Sequence, residues 1–125
     1  MAAGAFRLTG LALGSAASPS VQFTGDTNNG LFSPGADRFT IATAGVARME
    51  VAAAGAVFIN GTSNAGVTIG LSINQGANDD NIISLKSSDV AHGMTALAET
   101  DTFGYMQKSG ATTGGVVWIG FSSAT

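Results

Sequence analysis

The run Arg38-Phe39-Thr40-Ile41-Ala42-Thr43-Ala44-Gly45-Val46-Ala47-Arg48-Met49-Glu50-Val51 decides the fold class. Successive side chains of a strand point to opposite faces, so a half-buried strand reads as strict alternation. Before Gly45, Phe39 and Ile41 share one face while Arg38, Thr40 and Ala42 share the other. After it, Ala47, Met49 and Val51 point one way and Arg48 and Glu50 the other. Glycine tolerates positive φ and so marks the turn between two strands.

The same punctuation runs outward from this hairpin. Gly25, Gly35, Gly45 and Gly55 fall ten apart, and Gly66 and Gly76 keep the pace after one extra residue. A strand of about six residues plus a short turn fills such an interval. Ala56-Val57-Phe58-Ile59-Asn60-Gly61 is a strand ending in a turn dipeptide, and Val67, Ile69, Leu71 and Ile73 alternate as another. Asn28-Asn29-Gly30 and Ser33-Pro34-Gly35 are turn signals that bracket a very short strand, Leu31-Phe32. Beyond residue 76 the pace is lost, which divides the chain into a regular segment, 1–76, and a less regular β-rich segment, 77–125. In the second segment Ile82-Ile83-Ser84-Leu85 and Val116 to Phe121 are strand-like, and Asp89 to Glu99 is irregular. The fold class is all-β, with short strands and Gly-rich turns. A meander, prism or β-helix fits it.

Composition adds an oligomer. Gly, Ala, Ser and Thr fill 64 of the 125 positions, whereas Ile, Leu, Val and Phe supply 29. Large side chains are too scarce for a self-sufficient core. Disorder requires high charge and low hydrophobicity, but only 10% of residues are charged. A soluble monomer carries about 25% charged residues, so much of this surface is expected to face another subunit. Phe39, Ile41, Met49, Val51, Val57, Ile59, Val67, Ile69, Leu71 and Ile73 are the residues expected to fill a core shared between copies.

The five basic residues, Arg7, Arg38, Arg48, Lys86 and Lys108, are spread singly in a chain of net charge −3. Nucleic acid, which demands a phosphate-tracking patch, is therefore not an expected partner. The absence of cysteine excludes disulfides and thiolate chemistry. Thr9, Gly10 and Gly14 interrupt the apolar run after Arg7, which weakens a secretion-signal reading, and no run reaches the roughly 18 apolar residues of a membrane span.

Phe23-Thr24-Gly25-Asp26-Thr27-Asn28-Asn29-Gly30-Leu31-Phe32-Ser33-Pro34-Gly35-Ala36-Asp37, followed by a strand and Thr43-Ala44-Gly45, resembles a phrase of bacteriophage tail-fibre and related virion proteins. Asn29 stands where the family phrase has Thr, and Leu31-Phe32 where it has Ile-Tyr. Arg7-Leu8-Thr9-Gly10-Leu11-Ala12 is similar to a shorter strand-turn phrase of the same fibres. Residues 73–80 and 85–95 are similar to phage or prophage segments of no stated role. The resemblance implies an elongated, intertwined homotrimeric β-prism or β-helix-like fibre in an extracellular virion appendage. Its partners would be copies of itself, other virion proteins and host-surface glycans. The end at Ser122-Ser123-Ala124-Thr125, neither a cap nor a charged tail, reads as a segment of a longer fibre.

No cofactor or catalytic set is expected. Glycoside cleavage needs two carboxylates flanking one cleft, whereas Asp26 and Asp37 lie in turn phrases, Glu50 pairs most simply with Arg48 on a solvent face, and Asp79 and Asp80 are adjacent. The Asn78-Asp79-Asp80-Asn81 cluster lacks calcium-loop spacing. His92, the single histidine, cannot build a triad or a multi-histidine zinc site within one chain. At a threefold axis it would meet its copies, which makes it a candidate axial residue for a metal or a pH response. Phe103, Tyr105, Trp118 and Phe121 form a candidate recognition surface for sugars. Aromatics at strand spacing also serve as core. Carbohydrate-binding tip and polymeric decoration or filament are the alternatives to the fibre reading.

Overall fold

The computed structural model of the chain describes residues 8–123. Arg7 and the terminal Ala124-Thr125, on which parts of the sequence reading rest, lie outside them. The described residues are all-β, without a helix. The chain divides into two compact units, Met1–Asn74 and Gln75–Thr125.

Unit 1 is one open sheet of six strands in sequence order: β1 Val21–Phe23, β2 Asp26–Phe32, β3 Phe39–Thr43, β4 Val46–Val51, β5 Val57–Ile59 and β6 Leu71–Ile73. The first five form an antiparallel meander, and β6 pairs parallel with β5 after the 60–70 connection. The β3–β4 turn is the two-residue loop Ala44-Gly45, both at positive φ (52° and 72°). Such a turn matches the right-handed twist of the strands it joins. Asn29 braces it from outside: its Oδ1 accepts from the Ala44 N–H at 2.6 Å, and the Asn28 carbonyl accepts from the Gly45 N–H at 2.9 Å.

Two expectations are corrected here. Asn28-Asn29-Gly30 is strand, part of β2, not a turn. A Cβ on Gly30 would lie 1.9 Å from the Val21 carbonyl oxygen, so the glycine serves close approach of β1 to β2. Val67 and Ile69 belong to the 60–70 connection and not to a strand, because a turn closed by Val67 N–H to Asn64 C=O and then Gly70 at φ 141° interrupt the alternation.

Unit 2 is a three-stranded antiparallel sheet in order, β7 Ile83–Lys86, β8 Thr102–Gly110 and β9 Gly114–Gly120. Residues 87–101 are turns and irregular backbone. The longest strand, β8, has no counterpart in the sequence reading. Two glycines, a lysine and a glutamine within it mask the strand signal.

Candidate association surface

Register fixes which side chains share a face in unit 1. Val21, Leu31, Ile41, Met49, Ile59 and Ile73 are directly opposite one another across all six strands. Phe39, Val51, Val57 and Leu71 form a second row two residues along. Eight of the ten side chains expected in a shared core thus stand in two rows on one face. That face is open: Phe39 is 50% and Leu71 58% exposed, and Val21, Met49 and Val51 are also exposed. Neither row contains a charged residue.

The opposite face carries the row Phe32, Thr40, Glu50, Phe58 and Ser72. Here Thr40 and Glu50 are the most completely buried side chains, at 0% and 1% exposure, with Phe32, Ala42, Ala56 and Phe58 around them. Asn64 in the 60–70 connection donates to Ser72 Oγ at 3.1 Å. Glu50 is not the solvent-facing partner of Arg48 that its position suggests. Arg38 donates to Glu50 Oε1 through Nε at 3.0 Å and through a terminal guanidinium nitrogen. Arg48 instead reaches Thr43 Oγ1 and Asn60 Oδ1, both at 3.2 Å. The cause is a bulge in β4: Ala47 is opposite Ala42 and Met49 opposite Ile41, so Arg48 is the extra residue. Burying an ion pair is costly unless it is well bonded, and two guanidinium contacts supply that bonding.

Two shallow clefts indent the apolar face near β1. One, of about 240 Å³, is lined by Leu11, Leu13, Val21, Leu31 and Phe39. The other, of about 450 Å³, adjoins Val21, Phe23, Leu31 and Ile41. The N-terminal segment is held there by the Ser33 N–H, which donates to the Leu13 carbonyl at 2.9 Å. Leu11 and Leu13 thereby extend the apolar surface past the sheet. They form no strand.

In unit 2 the four aromatic candidates do not share one surface. Tyr105 and Phe121 are buried, with ring centroids 5.5 Å apart, and Phe103 lies on their side of the sheet with 41% exposure. Trp118 is opposite Met106 on the other side, 67% exposed. The exposed Val116 and the facing glycines Gly104 and Gly120 share that side. His92 is buried at 4% exposure and stacks on Phe121 at 4.7 Å and 21°. Its Nδ1 accepts from the Met94 N–H at 3.1 Å, which puts the proton of the neutral ring on Nε2. Nε2 is buried without a partner among the described residues. Neither nitrogen faces outward, so as folded His92 offers no ligand to an axis.

Three of the five carboxylates of unit 2 are in ion pairs. Lys86 bridges Glu99 and Asp101, and Lys108 pairs with Asp79. Its hydrogen bonds to Glu99, then Asp101, raise the Lys86 ammonium above its ordinary 10.5. Among the described residues no three histidine or acidic side chains group as metal ligands would. No protein-family model, curated protein or solved structure matches the chain.

Proposed function

We propose that this chain is a noncatalytic structural subunit of a bacteriophage tail fibre or related virion appendage, packed as a homotrimeric β-prism whose copies share the apolar rows of unit 1. The observation that carries the association is the open two-row face. Taking about 200 Å² for each phenylalanine ring and about 100 Å² for each aliphatic or methionine side chain, the exposed fractions of Val21, Phe39, Met49, Val51 and Leu71, with Leu11, Leu13 and Phe23, amount to on the order of 500 Å². A standard stable interface takes roughly 800 Å² from each partner, a little over half of it apolar. Monomeric soluble proteins rarely leave a larger apolar area exposed. The virion placement rests on the phrase at residues 23–37.

Sedimentation velocity with mass measurement and electron microscopy tests the reading. A discrete, elongated particle of three protomers is expected. An open polymer would replace the fibre module with a filament, and a stable protomer at micromolar concentration would overturn association altogether.

One observation favours a second reading. The exposed Trp118 beside Val116 is an aromatic surface of the kind that stacks on sugar rings, which suits a receptor-binding tip. Glycan-array binding lost in Trp118→Ala, with assembly intact, would support it.

A further inference from the structure

We infer that copies of this chain meet head to tail, the Ile69–Leu71 edge of one unit 1 seating in the apolar cleft at the β1–β2 end of the next. The inference rests on the self-association reading above and adds the polarity of the contact.

The two ends of the apolar face differ. At the β6 end the apolar side chains stand open to solvent: Ile69, just before β6, is the most exposed large apolar side chain described, at 77%, and Leu71 within β6 is 58% exposed. At the β1 end the surface is concave, with the cleft of about 240 Å³ walled by Leu11, Leu13, Val21, Leu31 and Phe39. An apolar cavity of about 150 Å³ accepts a benzene molecule, so this cleft has room for a leucine side chain and part of another.

The chemistry of the cleft argues against a small polar ligand. Such sites hold a few convergent polar groups that orient their occupant. The two hydroxyls here are already committed, Ser20 Oγ donating to the Ala12 carbonyl and Ser33 Oγ to the Gly35 carbonyl at 2.6 Å. What remains is apolar and uncharged, and so is the exposed edge. A charged partner would find no complement on either.

Shape also selects which surfaces pair. Cleft against cleft or edge against edge leaves voids that close-packed interfaces avoid, and a twofold that seated edge in cleft reciprocally would close at two copies. A head-to-tail contact fills the cleft with the edge. Such heterologous contacts close into a ring or continue as an open filament, and three copies in a ring leave neither end free.

The test uses two variants with changes at exposed positions, Leu13→Lys in the cleft and Leu71→Lys on the edge. Each alone should sediment as a protomer while keeping the far-ultraviolet strand signal of the wild type. Mixed in equal amounts they should form a one-to-one pair, at least tenfold more populated than any dimer of either alone. The Leu13→Lys chain keeps an intact edge and the Leu71→Lys chain an intact cleft, so one good contact remains. A mixture that stays protomeric overturns the head-to-tail contact, as does either variant assembling like the wild type. Should lysine unfold a chain, Leu13→Ser and Ile69→Ser repeat the mixing with smaller changes. If the wild type itself sediments as a protomer, self-association fails; if it assembles and the mixture does not pair, or if it stops at a dimer as a reciprocal twofold contact would, only the polarity does.

Discussion

Unit 1 and unit 2 treat polar and apolar side chains in opposite ways. In unit 1 the deepest positions are Thr40 and the Glu50 carboxylate, held by Arg38, while ten aliphatic and aromatic side chains line an open face. In unit 2 the interior is aromatic, with Tyr105, Phe121 and the His92 ring, and the lysine–carboxylate pairs are at the surface. The second arrangement is what a small domain in water requires. The first covers a bonded polar row and leaves the apolar face open, which suits a sheet whose apolar face is covered by other apolar surface. The difference supports placing the proposed association in unit 1.

The comparison breaks most readily at the buried pair. Arg38→Ala leaves the Glu50 carboxylate buried without a counter-ion, and losing one partner of a buried pair costs about 3–5 kcal/mol. Replacing both, as Arg38→Met with Glu50→Leu, removes the desolvation penalty along with the attraction. The double variant should recover to within about 1 kcal/mol of the wild type or exceed it. Urea unfolding of the wild type, Arg38→Ala and the double variant measures both quantities. A single variant that loses less than about 1 kcal/mol would mean that Glu50 is hydrated, and the contrast between the units would lose its sharpest element.

This pair also marks the limit of what alternation discloses. Strands β3 and β4 and the common face of Phe39, Ile41, Met49 and Val51 follow from period-two spacing, because parity is local. Which face is covered is not local. It depends on the 60–70 connection and on a bulge that makes Arg48 the extra residue and leaves Glu50 beside Arg38, two features set by pairing between distant segments. Strand β8 was hidden for another reason. Gly104, Gln107, Lys108 and Gly110 are poor strand formers held extended by β7 and β9 on either side. Asn29 shows a third kind of loss: asparagine and glycine advertise a turn, yet this asparagine spans from β2 to cap the β3–β4 turn. In the candidate site, the apolar rows were legible and the cleft formed with Leu11 and Leu13 was not. That cleft exists only where the N-terminal segment docks on Ser33.

The interior of unit 2 gives a smaller effect. His92 contributes a stacked ring and an acceptor for the Met94 N–H, and it also buries an Nε2 proton with no acceptor among the described residues. His92→Phe keeps the stack and deletes the uncompensated donor, a gain of about 1–3 kcal/mol set against about 1 kcal/mol for the lost hydrogen bond. Thermal unfolding should find the variant within about 1 kcal/mol of the wild type or more stable. A loss above about 2 kcal/mol would show that Nε2 has a partner in solution, and the interior of unit 2 would then be less purely aromatic than drawn.

The smallest effect is expected at the surface of unit 2, where Lys86 sits between Glu99 and Asp101. Their hydrogen bonds raise the ammonium above its ordinary 10.5, so the folded state binds that proton more tightly than the unfolded chain does. Linkage then fixes the sign. The stabilisation is complete below about 10.5 and is lost as pH rises through the higher folded value. Lys86→Met should therefore be slightly less stable than the wild type at pH 8, and the gap should close on going to strongly alkaline solution. All three groups are exposed, so 1 M salt, with a screening length of about 3 Å, should shrink the same gap at pH 8. The Arg38→Ala effect should survive that salt, because the Glu50 carboxylate is out of its reach. Equal salt sensitivity of the two variants would place both pairs at the surface and erase the distinction between the units.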